Sequence, residues 1–203
     1  MALLVIAGPL SAQHKAEITP FVGYMFGTSK ISTVRGDLST KGNVNYGAYL
    51  NVNIRPGGQL ELVYSRQETE LQLKGVGGVN QKLTDMSIEY FHIGGLGFVE
   101  RGPAQPFGSF TLGATRYNPK QSTIEVGETP IAVKDEWRFS VILGAGVKYF
   151  ASERIGLRLQ GHLAGTFLDT GSGLWCGFGG CSLGLFGSGV LQGDLSGGVV
   201  VAF

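Results

Sequence analysis

Along residues 43–54, NVNYGAYLNVNI, apolar and polar side chains alternate with a period of two. Val44, Tyr46, Ala48, Leu50, Val52 and Ile54 share one parity, and Asn43, Asn45, Gly47, Tyr49, Asn51 and Asn53 share the other. Successive side chains of an extended backbone point to opposite sides, so the pattern predicts a β-strand with two unlike faces. A soluble sheet turns its apolar face toward a core. A strand of a membrane barrel turns that face out to lipid and points the polar one inward.

Seven further segments repeat the alternation. Ala16–Thr28 sets Ile18, Val22, Tyr24 and Phe26 on one face. Pro20 shares that face and needs a position whose N–H the ladder can spare. Gln59–Leu73 opposes Leu60, Leu62 and Tyr64 to Glu61, Val63 and Ser65, and Leu83–Val99 opposes Met86, Ile88 and Tyr90 to Asp85, Ser87 and Glu89. Pro106–Tyr117 opposes Phe110, Leu112 and Ala114 to Ser109, Thr111, Gly113 and Thr115. Glu136–Phe150 carries Trp137, Phe139, Val141, Leu143, Ala145, Val147 and Tyr149 against Arg138, Ser140, Gly144, Gly146 and Lys148, with Ile142 on the polar side. Arg154–Leu168 sets Ile155, Leu157, Leu159, Leu163 and Phe167 against Arg158, Gln160, His162 and Thr166. Val190–Phe203 sets Leu191, Leu195, Val199, Val201 and Phe203 against Gln192, Asp194 and Ser196.

The links alternate in length. Residues 55–58 (RPGG), 100–105 (ERGPAQ) and 152–153 (SE) are short and rich in turn formers. Residues 29–42, 74–82, 118–135 and 169–189 are longer, and the third of these is expected to extend as a hairpin. An even strand count, short turns at one end and long loops at the other describe an all-β, eight-stranded antiparallel up-and-down transmembrane barrel, with both termini at the short-turn end. Each segment exceeds the roughly 9–11 tilted residues needed to cross a bilayer.

Composition sharpens this. Only 15% of the 203 residues are charged, against roughly 25% in a soluble domain. The net charge of +1 argues against a nucleic-acid partner, which would need a basic face to neutralise phosphates. No apolar run approaches the roughly 20 residues of a helical span. Residues 1–13, MALLVIAGPLSAQ, resemble the apolar and cleavage regions of a secretory signal peptide without its positive start, the rival reading being a buried first strand. Residues 14–203 form the barrel domain, with no further domain expected after it.

Eight strands enclose a lumen that side chains can just fill. The polar parity assigns to it Glu61, Glu89, Asp194, Arg138, Lys148 and Arg158, with His162 beside them. Three acids against three bases suit a packed polar interior, because opposite charges offset one another's desolvation. His92 is read with Tyr90 on the outward parity, as an interfacial pair. Tyr24, Phe26, Trp137, Tyr149, Phe167 and Phe203 fall near strand ends on the apolar face, as interfacial girdles require.

Catalytic and cofactor chemistry finds little support. His14, His92 and His162 form no HExxH and suggest no Ser–His pair, and the G-x-G fragments in GGLGF and GAGVKY do not complete a nucleotide loop. Neither a metal nor a cofactor is predicted. Cys176 and Cys181 in WCGFGGC suit a loop disulfide, with free thiols as the alternative; two cysteines without a neighbouring histidine cannot hold structural zinc.

The ending SGGVVVAF, with Ser196, Gly198, Val201 and terminal Phe203, resembles the signal read by the outer-membrane barrel assembly machinery. Together with ITPFVGYMFG, LELVYSRQETEL, GAGVKYFASERIGLRLQGH and WCGFGGC it resembles the small outer-membrane β-barrel domain proteins of Gram-negative bacteria, a porin-like superfamily. That resemblance implies residence in the outer membrane among phospholipid and lipopolysaccharide. The expected role is structural or interactive, through the long loops. A narrow pore for small solutes or ions, or a lipid-modifying enzyme, are the alternatives.

Overall fold

The computed structural model describes residues 15–26, 31–33, 36–40, 42–74, 80–120, 123–126, 129–132, 135–167, 174–177, 180–183 and 189–203; side chains at 27–41, 71–84, 121–134 and 168–190 lie outside that description. The segment expected to be a signal peptide therefore falls outside it as well.

Eight long strands build the molecule: β1 (Ala16–Met25), β2 (Asn43–Arg55), β3 (Gly58–Lys74), β4 (Asn80–Phe98), β5 (Ala104–Pro119), β6 (Glu136–Phe150), β7 (Ile155–Phe167) and β8 (Gly189–Ala202). Each pairs antiparallel with its chain neighbours, and β1 pairs with β8, so the sheet closes on itself. Closure removes the open edges that hydrocarbon cannot hydrogen-bond. The register climbs around the ring. A trail of paired residues leaves Glu17 through Asn51, Glu61, Gly94, Thr111, Ile142, Ala164 and Gln192, and returns to β1 beyond Met25. This stagger tilts the strands and sets the width of the lumen.

Turn chemistry places the short connections. Gly57 has φ 71°, following Pro56, which suits a turn that demands a left-handed third residue. The ladder between β1 and β8 pairs Ile18 with Val201, skips Thr19 and Pro20, and resumes at Phe21–Gly198, because proline has no N–H to donate. Ala16 and Phe203 exchange backbone hydrogen bonds of 3.1 and 2.9 Å, which brings the two strand termini to the short-turn end.

At the other end β3 and β4 run on as a hairpin into the expected 74–82 loop, β3 as far as Lys74 and β4 from Asn80. Gly36–Thr40 pairs with the far end of β3 and with Ile31–Thr33. Thr123–Val126 pairs with Thr129–Ala132, giving the hairpin expected there. Leu174–Gly177 pairs with Gly180–Leu183, setting Cys176 opposite Cys181; their side chains lie outside the described residues.

Orientation answers the question raised by β2. Asn45, Tyr49 and Asn51 are buried in the lumen, whereas Val44, Tyr46, Leu50, Val52 and Ile54 face outward. The same holds on β1, β3 and β5 to β8. Strand β4 is the exception to the expected assignment. Met86, Ile88, Tyr90 and His92 point inward, and Glu89, Phe91 and Ile93 point outward. Glu89 pairs in register with Arg66 and Arg116, whose row continues to the outward-facing Tyr46 and Trp137. Neither Glu89 nor His92 is therefore where the alternation put it. By alternation the apolar triplet Met86, Ile88 and Tyr90 looks lipid-facing. It belongs instead to an inner cluster of Met25, Met86, Ile88, Tyr90, Ile142 and Ala164 toward the loop end of the lumen.

Candidate functional site

Inward side chains form storeys along the lumen. At the short-turn floor Lys148 Nζ lies 2.5 Å from Glu17 Oε2 and donates to Gln59 Oε1 at 2.8 Å. Gln59 Nε2 donates to Glu17 Oε1 at 2.6 Å, so three strands share one closed network. Alternation alone places Glu17 on the inward parity beside Thr19 and Phe21, and the closed ring brings it to Lys148.

The next storey centres on Arg158. Its Nη2 donates to Glu61 Oε2 at 2.7 Å, Nη1 to Asn51 Oδ1 at 3.2 Å and Nε to Gln160 Oε1 at 2.6 Å. The guanidinium carbon lies 4.2 Å from the Tyr49 ring centroid and 4.5 Å from that of Phe107. The cation is thus neutralised in its plane and packed between two aromatic rings, the geometry that suits arginine over lysine. Arg158, Tyr49 and Lys148 are large side chains shielded almost wholly from solvent in this half of the lumen.

Above them a small cluster of Phe21, Tyr49 and Val63 separates the ion pairs from a histidine storey. His162 Nδ1 stands 3.3 Å from Asp194 Oδ2. Gly144 makes room for that ring: a Cβ on it would come within 2.6 Å of His162 Cδ2 and 2.5 Å of Ser109 Oγ. His92 Nε2 lies 2.8 Å from Ser140 Oγ, and His92 Nδ1 lies 3.3 Å from Thr111 Oγ1. Thr115 also donates to Ser140 at 2.8 Å.

The fold thus creates a Ser–His contact that the sequence did not suggest, from strands four and six. The pair sits inside a buried cluster of hydroxyl groups formed by Thr111, Thr115, Ser140 and Thr166. A nucleophile needs a base that a third group polarises, together with an approach for substrate. Here the third group is a threonine hydroxyl, and Ser140 is wholly buried. Among the described residues no cluster of three or more His, Cys, Asp or Glu side chains is arranged to hold a metal.

The expected lumen residues therefore divide. Glu61, Lys148, Arg158, His162 and Asp194 meet partners inside the lumen. Arg138 lies on the inward parity at the loop-end mouth, bonded to Glu136 on its own strand. Glu89 lies on the outer wall. There its carboxylate bridges Arg66 Nη1 at 3.2 Å and Arg116 Nη1 at 3.4 Å. Of the C-terminal residues, Ser196 accepts from Gln160 inside the lumen at 3.2 Å, and Val201 and Phe203 face outward. Gly198 stands where a Cβ would meet the Pro20 carbonyl at 2.5 Å.

A closed antiparallel cylinder with ion pairs inside and Leu, Val, Ile and aromatic side chains outside is a transmembrane β-barrel. No family model and no curated protein matches this chain. Solved structures do. Neisserial surface protein A superposes with a TM-score of 0.56 at 12% identity, covering 93% of this chain and 97% of that one. Outer membrane protein OprG from Pseudomonas aeruginosa gives 0.54 at 12% identity, over 95% and 98%. The chain has the fold of these bacterial outer-membrane barrels.

Proposed function

We propose that the protein is a non-catalytic, integral outer-membrane barrel that serves as a rigid platform for its loop-end hairpins. One observation carries this reading: Lys148 with Glu17 and Arg158 with Glu61 are paired inside the barrel, while the middle of the outer wall is apolar. Such a wall is stable only against lipid, and such a lumen only when packed. The fold shared with NspA and OprG supports the outer membrane as its location. The hairpins at 31–40, 123–132 and 174–183 and the extended β3–β4 ends stand at one end, where loops carry recognition. Phospholipid and lipopolysaccharide are the surrounding partners. The barrel assembly machinery is the partner during biogenesis, reading Ser196, Gly198, Val201 and Phe203.

The test combines location and topology. On a density gradient the full chain should sediment with outer membranes, and an epitope placed at residues 127–128 should be labelled on intact cells. A monodisperse monomer without detergent would refute the reading. In planar bilayers an electrically silent barrel is expected; steady ohmic steps would favour the pore instead.

A further inference from the structure

The lumen holds one carboxylate more than its fixed cations meet. Among the described residues Glu17, Glu61 and Asp194 are the acids buried inside it, and Lys148 and Arg158 are the permanent bases. Lys148 is bound to Glu17 and Arg158 to Glu61. Asp194 is left with His162, whose Nδ1 stands 3.3 Å from Oδ2. A charge-assisted N–H···O bond runs at about 2.7–2.9 Å, so this contact is long for an ion pair.

The register brings other unmet oxygens to the same place. Gln67, Asn45, Gly23 and Ser196 are successive ladder partners across β3, β2, β1 and β8. Gly23 has no side chain, and Asn45 leans over it: a Cβ there would lie 2.7 Å from Asn45 Oδ1 and 2.6 Å from Ser196 Cβ. The next inward position of β1 is Met25. Asp194 is its ladder partner, and its carbonyl accepts from Gln67 Nε2 at 3.4 Å. Asn45, Gln67 and Asp194 thus bracket one stretch of β1, residues 23–25. Each is more than nine-tenths buried, and Asn45 Oδ1, Gln67 Oε1 and Asp194 Oδ1 have no hydrogen-bond partner. Gln192, the next inward residue of β8, takes the Tyr90 hydroxyl on its Oε1 at 2.6 Å and makes no bond to Asp194.

Oxygens of a carboxylate and of amides are the ligands that hard cations take. Burying an unmatched carboxylate is costly. A single positive charge would neutralise the lumen, whereas a divalent ion would leave it charged again. We propose that one monovalent alkali cation binds in the middle of the lumen, over Gly23, between Asp194 Oδ1, Asn45 Oδ1 and Gln67 Oε1. Asp194 supplies the charge, and the two amides supply neutral ligands from neighbouring strands. The site requires the closed ring and not the display of hairpins, so it stands apart from the platform role.

The experiment unfolds the refolded full chain with urea in a non-ionic detergent, with sodium, potassium or calcium exchanged for choline at constant ionic strength. One bound ion lowers the unfolding constant about tenfold for each tenfold rise in its concentration above half-saturation. That slope is expected with sodium or potassium, the tighter of which names the ion, and not with choline, which is too large for the site. Asp194→Asn should abolish the response. Asn45→Asp, which adds a second carboxylate at the same place, should turn the preference to calcium, a change that altered packing alone would not produce. Equal stability of the natural chain in choline and alkali salts overturns the site, as does a full response in Asp194→Asn or a natural chain that responds more to calcium than to alkali ions. Stability that follows pH but ignores the cations would place a proton on His162 instead and overturns it too. If Asp194→Asn does not fold, the natural chain and Asn45→Asp decide: an undiminished alkali preference in Asn45→Asp overturns the assignment.

Discussion

Arg158 on β7 reaches across the lumen to Glu61 on β3, the strand on the opposite side of the ring, with 2.7 Å between Nη2 and Oε2. Both side chains are 1% exposed. Removing one partner leaves a buried charge, a loss of about 3–5 kcal/mol. Arg158→Ala and Glu61→Ala should each lower the unfolding free energy of the refolded barrel, read from urea titration, by that order. Replacing both with methionine should cost less than either single change, because no charge is left unmatched. A double-mutant cycle with no coupling would show that the pair does not form.

The two faces of β2 give a direct test of orientation. Leu50 points to lipid and Asn51 is wholly buried. Nitroxide or bromine quenchers attached to acyl chains should reach a fluorophore on Leu50→Cys and spare one on Asn51→Cys. The reverse order would mean that the sheet is inside out.

Gly144 and Gly95 form a matched pair. A methyl group on Gly144 runs into His162 and Ser109, whereas one on Gly95 meets nothing within 4 Å. Gly144→Ala should therefore destabilise the barrel by about 1–3 kcal/mol, the usual cost of overpacking. Gly95→Ala should be neutral or mildly stabilising. Equal unfolding midpoints for the two variants would contradict the packing of the histidine storey.

Cys176 and Cys181 are partners in the backbone register of their ribbon. Directly opposed residues of an antiparallel pair stand about 4.5–5.5 Å apart at Cα, within the span of a disulfide. Alkylation of protein from an oxidising compartment should add no mass until it is reduced. The ribbon lies in a sheet of its own, so Cys176→Ser should leave the barrel's melting temperature unchanged. Full alkylation before reduction would establish free thiols.

Much of this architecture was legible because a strand has only two parities. Once Leu50 and Asn51 differ, every other residue of β2 follows, and seven strands could be oriented in this way. Strand β4 could not. Its loop-end half sets Met86, Ile88 and Tyr90 against Ser87 and Glu89, and by polarity alone the first three look lipid-facing. Its other half gave the opposite signal: Phe91 and Ile93 are apolar, and His92, on the parity of Tyr90, is polar.

By itself the alternation determined that eight long strands build the barrel and that charges such as Arg158, Lys148 and Glu61 share a face, since a period of two is a local property of the backbone. Only the closed ring decided which charge meets which. Partners such as Glu17 and Lys148, or Arg158 and Glu61, are far apart in sequence and come together through the stagger of the barrel, to which no single strand carries a clue. The same stagger lines up Arg66, Glu89 and Arg116 from three strands on the outer wall, where sequence polarity had placed Glu89 inside.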